Sequence, residues 1–232
     1  MFILTTISIY AHIQRINTYA ARLIRVKLNK VSLIIYFHDV RMTEMATALK
    51  QELKDYRQEV DLLDGRKIVI RMITSDDKEP LRAFYARLSD ETRFLRFLYS
   101  KGELNEDELK NFCDVDYYNN LGLVAERTQN EQKEIIGVGR FYRLPSSTHT
   151  AEVAFVVQDS EQRKGIGTHL LKHLAVLAWK LDIYFFLGEV LEENTRMLSI
   201  FRKADPEMNQ TIDSDSTCMV TLSIEETMFR MP

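Results

Sequence analysis

Residues 151–182, AEVAFVVQDSEQRKGIGTHLLKHLAVLAWKLD, constrain the fold more than any other stretch of the chain. The apolar-rich run Ala151–Val157 reads as a strand, and residues 152, 154 and 156 of such a strand share one face. Ile166, Leu170, Leu174, Leu177, Ala178 and Leu181 then recur at helical spacing. Between the two lies Gly165-Ile166-Gly167. A turn that opens a helix presents unpaired backbone amides and the positive end of the helix dipole. Glycines at two positions let an anion reach that backbone without meeting a Cβ, and Arg163 and Lys164 add mobile positive charge. Such a site suits a phosphate or pyrophosphate; a tight turn with no ligand is the alternative. Two familiar phosphate loops are excluded. The third glycine of G-x-G-x-x-G is replaced by Leu170, and G-x-x-x-x-G-K-[ST] is absent.

The remaining elements follow from the same kind of pattern. Residues 44–63 read as a helix through Leu49, Leu53 and Tyr56, Asp64-Gly65 as a turn, and RKIVIRMIT after it as a strand. A helix opens in TSDDKEPLRAFYARL, with Ser75 or Asp76 as its cap and Pro80 early; a second covers 90–98. Asn105 and Glu108 form a capping box for a third. Residues 121–128 and 134–144 form a hairpin, 184–191 a buried strand, 193–204 a helix and 217–224 a last strand.

The chain is long enough for one sizeable core. Net charge is −3, which argues against a dedicated nucleic-acid binder, yet residues 1–41 carry +5 and residues 42–232 carry −8. The basic first 41 residues read as a loosely attached extension or a translated leader ahead of a working start at Met42 or Met45, with a transit-peptide-like segment as the other reading. Residues 42–64 are taken as a helical segment and 65–232 as the main domain. Cys113 and Cys218 lack metal or disulfide-framework spacing, which suits reduced thiols in a cytoplasmic protein. No apolar run is long enough to span a membrane, so no membrane partner is expected.

Gln162-Arg163-Lys164-Gly165-Ile166-Gly167 fits [QR]-x-x-G-x-[GA] at a strand-to-helix junction. Over residues 65–224 the chain resembles the GNAT superfamily of acyl-CoA-dependent N-acyltransferases. RMITSDDKEPLRAFYARLSDETRFLRF, AEVAFVVQD and GEVLEENTRML resemble Pat-type bacterial protein lysine acetyltransferases in particular. The resemblance implies an α/β (α+β) fold: a mixed, mostly antiparallel sheet flanked by helices, whose parallel pair, 151–158 and 184–191, splays apart. It implies acetyl-CoA as cosubstrate and no metal. The pyrophosphate would lie on the backbone of Gln162, Arg163, Lys164, Gly165, Ile166, Gly167 and Thr168. The pantetheine arm would run beside Phe155, Val156 and Val157 and contact Asn194. Larger Pat-type proteins carry a further regulatory or synthetase-like domain, for which residues 1–64 are too short.

Acyl transfer to an amine needs a neutral nucleophile. Lysine, with a pKa of about 10.4, is mostly protonated at neutral pH, so a general base is useful. Glu152 is the expected base, on the strand face toward the acyl end, with apolar neighbours expected to raise its pKa; the Pat-like resemblance points to the same position. Glu189 is the less favoured candidate. Amides at Val156 or Val157 would serve the carbonyl oxygen. The general acid is absent where the family places a tyrosine: Phe201 stands there, and Asp205-Pro206 replaces the usual Gly-Phe. Tyr142 and Tyr184 are substitutes. His169 and His173 could share a metal at i, i+4 but read as a solvated helix face. The aromatic residues Phe94, Phe97, Tyr99, Tyr117 and Tyr118 read as core or groove rim. The expected activity is acetyl transfer to a primary amine, a protein lysine; a small-molecule amine acceptor, or an acyl-CoA-binding sensor with weak turnover, are the alternatives.

Overall fold

The computed structural model describes residues 46–129, 131–213 and 216–230. Its centre is one eight-stranded sheet in the order β1-β2-β3-β4-β5-β6-β8-β7. The strands are β1 (Arg57–Asp61), β2 (Lys67–Met72), β3 (Asn120–Gln129), β4 (Gln132–Arg143), β5 (Thr150–Val157), β6 (Phe185–Leu191), β7 (Asn209–Ile212) and β8 (Thr217–Ser223). Helix α1 covers residues 46–54. It is followed by α2 (Lys78–Ala86), α3 (Asp90–Phe97), α4 (Glu106–Cys113), α5 (Ile166–Trp179), α6 (Thr195–Ala204) and α7 (Ile224–Arg230).

All neighbouring strands are antiparallel except β5 and β6, which pair in parallel over only three residues each, Thr150–Glu152 with Phe185–Leu187. Beyond Glu152 the two strands separate. β4 continues to pair with β5 as far as Val157, and β8 follows β6 to Leu191. The β5 edge from Val153 to Val157 is therefore open toward β6. Aromatic bulk accompanies the gap: the Phe155 and Phe201 rings meet edge-on, with centroids 6.4 Å apart. Gly188 of β6 makes room for this packing, since a Cβ there would lie 2.9 Å from the Phe201 ring.

Burial alternates along β5. Ala151, Val153 and Phe155 are buried, whereas Glu152 is exposed and Ala154 and Val156 are partly so. The odd positions join Leu170, Leu174, Leu198 and Phe201 in the larger core, under α5 and α6. A second core on the opposite side packs Leu81, Phe84 and Leu109 of α2 and α4 against Val124, Ile135 and Val138. The sheet is thus covered on both faces, and the gap between β5 and β6 runs through it.

Several sequence expectations are corrected. The helix over 44–63 ends at residue 54; Arg57–Asp61 is instead strand β1, paired with β2 across the Asp64-Gly65 turn, and residues 44 and 45 lie outside the described region. The first cap of the α2 region is Thr74 with Asp77, not Ser75 or Asp76: the Thr74 amide donates to Asp77 Oδ2 at 2.8 Å. Strand β7 and helix α7 were not anticipated. The Asn105–Glu108 capping box forms as expected, with reciprocal bonds of 2.9 and 3.0 Å. No helix among the described residues is long and apolar enough to cross a membrane.

Candidate functional site

The loop between β5 and α5 is built by fixing its ends and leaving its middle free. At its entrance, Asp159 accepts from the Ser89 amide (2.9 Å), Ser89 Oγ (2.6 Å) and Thr92 Oγ1 (2.7 Å), which anchors the start of α3. Burial opposes the charge of Asp159, but these bonds hold its carboxyl below the usual range. Glu161 is buried and accepts from Arg66 and Arg127, each at 2.6 Å, and from Lys164 at 3.1 Å. Burial opposes its charge too, and the Arg66 and Lys164 cations prevail, holding its carboxyl below the ordinary value. Gln162 donates to Thr92 Oγ1 and to the Val157 carbonyl, both at 3.2 Å, and accepts from Arg196 Nη1 at 2.6 Å.

Past these anchors the backbone turns sharply. Arg163 and Gly165 both have left-handed φ values, 64° and 94°. Gly165 caps α5, and only glycine takes that conformation without cost. The turn leaves the amides of Arg163 to Thr168 with no protein acceptor among the described residues. Six consecutive N–H groups at the positive end of a 14-residue helix form a ready anion site.

Arg163, Gly165, Ile166, Gly167 and Thr168 of this turn floor a cleft of about 510 Å³. One wall is the open edge of β5 at Phe155, Val156 and Val157; α3 supplies Thr92, Leu95 and Arg96. The opposite wall is α6, with Asn194 at its cap and Arg196, Ser199, Ile200 and Lys203 along one face. At its inner end the cleft meets a smaller, mostly polar hollow of about 160 Å³ lined by Glu152, Glu189, Phe97, Leu98 and Phe201. Leu95, Arg96, Phe155, Asn194 and Met197 line both spaces and so mark the throat between them.

The structure therefore gathers most of the residues singled out from sequence. Gln162, Arg163, Gly165, Ile166, Gly167, Thr168, Phe155, Val156, Val157 and Asn194 line the cleft, and Glu152 and Glu189 line the hollow. Asn194 has a second task, its side chain accepting from the Met197 amide at 3.2 Å to cap α6. Lys164 departs from expectation. Its ammonium is held by the Ser160 carbonyl at 2.7 Å and by Glu161, so it is not a mobile charge above the loop. Glu152 is exposed rather than sunk among apolar groups, because Ala151, Val153 and Phe155 point to the other face.

The substitute acids fare differently. Tyr184 lies outside both spaces, stacked on His149 with centroids 4.9 Å apart. Tyr142 stands opposite Glu152 in the β4–β5 register and faces the same side, its hydroxyl accepting from Arg140 at 2.6 Å. Phe201 is fully buried. The two α5 histidines are not a solvated face. His173 bonds Tyr56 at 2.5 Å, and His169 Nε2 bonds the Asp61 carbonyl at 3.1 Å. Phe94 and Tyr99 are exposed, Phe97 reaches the hollow, and Tyr117 and Tyr118 are partly buried beneath Lys50 and Arg143 respectively.

Sequence reasoning missed Leu63, Thr92, Arg96, Arg196 and Lys203 as cleft residues. Arg196, Ser199, Ile200 and Lys203 recur at spacings of three and four, a signal that α6 turns one face toward a partner or ligand. Leu63 gave no local signal: its position depends on its amide bonding the Lys164 carbonyl at 3.1 Å, across the fold.

Comparison with known proteins agrees with this geometry. A family model described as "Acetyltransferase (GNAT) family" matches residues 81–205. An acetyltransferase of Pseudomonas aeruginosa is 31% identical over 50% of this chain and 61% of its own length. Acetyltransferase Pat of Mycolicibacterium smegmatis is 30% identical over 61% of this chain and 41% of its own. The chain thus spans less than two thirds of either relative. The GNAT domain of PAT from S. lividans superposes with a TM-score of 0.65 and 32% identity, covering 72% of this chain and 96% of that domain.

Proposed function

Given that the chain belongs to the acetyltransferase (GNAT) family, we propose that it transfers the acetyl group of acetyl-CoA directly to a primary amine, a protein lysine, with Glu152 as general base. The observation that carries this reading is the continuity of three features. Free amides from Arg163 to Thr168 lead into the open β5 edge, which leads through the throat to Glu152. A pyrophosphate suits the amides, with Arg163, Arg196 and Lys203 adding charge around them. A peptide-like pantetheine arm suits the unpaired strand edge, as an added strand would.

In the hollow, Glu152 and Glu189 attract a cationic amine. The amine loses its first proton to solvent, and the neutral nitrogen attacks the thioester carbon while an amide on the β5 edge donates to the carbonyl oxygen. The carboxylate of Glu152 takes the second proton as the C–N bond forms, and the C–S bond breaks with its electron pair leaving on sulfur. General base assistance of this kind is worth typically ~10²–10⁴-fold. Glu189, on the neighbouring strand, steers the amine. A protein acceptor is favoured by the exposure of Glu152 and Glu189 and by the −8 charge of residues 42–232, which suits a basic peptide.

Calorimetry with acetyl-CoA, followed by a free-thiol release assay and mass spectrometry of a lysate incubated with labelled acetyl-CoA, tests the reading. Binding with thiol release and labelled protein lysines is expected; release only with small amines shifts the acceptor class. Binding without release supports the sensor alternative, which the hydroxyl-free ring of Phe201 keeps in view. Absence of any binding ends the proposal.

A further inference from the structure

Arg96 occupies the throat, where cleft and hollow meet. It lies one helical turn beyond Thr92, which binds the loop anchor Asp159, so α3 runs from the anion site toward the reacting end. Four other arginines of the sheet are committed. Arg71 holds Asp77 and Glu126, Arg127 holds Glu134 and Glu161, and Arg140 holds the Phe112 carbonyl and Tyr142. Arg143 holds the carbonyls of Thr148 and Leu181. Arg96 has no hydrogen bond or ion pair among the described residues; its contact is with the face of Phe97, 4.9 Å from guanidinium to ring centre.

Its electrostatic surroundings are unfavourable. Burial, then the like charge of Arg140, lower its pKa to about 10, with Tyr142, Glu152 and Tyr85 opposing that shift. It is still a cation at neutral pH. A partly buried, unpaired cation is costly unless an anion reaches it.

The chemistry of the throat says which anion. Besides Arg96, the polar residues lining the hollow are Glu152, Glu189 and Asn194. No tyrosine, histidine, cysteine, lysine, serine or threonine lines it, so apart from Glu152, once that residue has taken the amine proton, the described walls offer no group to protonate a departing sulfur. An acceptor carboxylate is disfavoured there because two carboxylates already face the space. Acyl transfer creates one lasting anion: the N–C bond forms, the C–S bond breaks, and the electron pair leaves on sulfur. The amine proton goes to Glu152.

We infer that Arg96 stabilises the coenzyme A thiolate, so that sulfur leaves as an anion paired with the guanidinium and is protonated by solvent after release. This rests on the acyl-CoA reading above. Arg96 would then be a catalytic residue acting by charge, in place of a proton donor.

The test compares the affinities of CoA and desulfo-CoA by calorimetry across pH 6–9. The two ligands differ only at the sulfur, so titration of Tyr142, Glu152, Glu189, Tyr85 or the loop groups acts on both through their shared parts and largely cancels in the ratio. A free thiol ionises near a pKa of about 8.5. If Arg96 holds the thiolate, the wild-type ratio rises by about tenfold or more between pH 6 and 8.5, because the bound thiol ionises below the free one. Arg96→Met flattens that rise, and Arg96→Lys restores part of it. A wild-type ratio that stays flat up to pH 8.5 overturns the inference whatever the variants do, as does a rise that survives unchanged in a folded Arg96→Met protein. Failure of both ligands to bind removes the acyl-CoA reading itself, a separate outcome.

Discussion

Arg66 Nη2 lies 2.6 Å from Glu161 Oε2, and this bond fastens the β1–β2 turn to the loop that carries the free amides. Glu161 is 3% exposed and also receives Arg127 and Lys164, so one buried carboxylate joins three segments of chain. The loop is shaped from beneath by Glu161 while its amides face the cleft.

Replacing Glu161 with Gln is therefore expected to destabilise the protein by about 2 kcal/mol at pH 7, the scale of a lost charged hydrogen bond. The pH dependence has a definite sign. Because the folded pKa is depressed, the stabilisation is fully present above the unfolded value of about 4.3 and is lost as pH falls through the folded value. Urea unfolding midpoints of wild type and variant should differ at pH 7 and converge toward pH 3. A constant difference across that range would show that geometry, not charge, is what Glu161 contributes.

Glu152 and Glu189 line the same hollow from neighbouring strands, so their contributions must be separated by measurement. Glu152→Gln is expected to lower kcat by roughly 10²–10⁴-fold while leaving acetyl-CoA affinity unchanged, since the cleft floor lies beyond the throat. Glu189→Gln is expected to raise KM for a lysine peptide with a smaller loss of kcat. Steady-state kinetics on both variants checks the assignment; a large kcat loss confined to Glu189→Gln would reverse the two roles.

The anion site is probed at Gly165, whose φ of 94° strains any side chain. Gly165→Ala should cost roughly 1–2 kcal/mol of strain and weaken acetyl-CoA binding. Gly165→Glu adds a negative charge beside the amides and should abolish binding. Calorimetry gives the affinities and circular dichroism shows whether each variant is folded. Affinity retained in Gly165→Glu would move the pyrophosphate elsewhere.

What was readable in the sequence follows from where each signal resides. The strand–turn–helix at 151–179 was legible because its apolar periodicity and its glycines are local. β1 was not, because Arg-Gln-Glu-Val-Asp has no apolar alternation; it is an edge strand held by backbone pairing to β2 and by Lys67 on Glu59 at 2.6 Å. β7, Asn-Gln-Thr-Ile, is a largely exposed edge for the same reason. Glu152 could be placed on a face from β-strand period alone, but its exposure depends on how far β5 and β6 part. Arg96 was invisible as a site residue because its position arises from α3, β5 and α6 converging, which no spacing within one segment records.

The two α5 histidines, read from sequence as solvated, instead give the protein a predictable acid response. The Tyr56 hydroxyl and His173 Nδ1 share a hydrogen bond of 2.5 Å. Burial, followed by the nearby His169 and Lys172, lowers the His173 pKa to about 4, and burial pushes Tyr56 up to about 12. For a histidine with a lowered folded pKa, the unfolded chain binds the proton first, near pH 6.5. Stability is therefore unaffected by this group above that pH and declines as pH falls from about 6.5 toward the folded value of about 4. The decline attributable to His173 should be on the order of 2 kcal/mol, reduced from its upper limit because the ring is only partly buried. His173→Phe keeps the bulk but removes the titration. It should flatten the stability-versus-pH curve over pH 4–6.5 relative to wild type, measured by urea unfolding. An unchanged slope would place the acid sensitivity in other groups, beginning with His169, whose pKa is also lowered by burial.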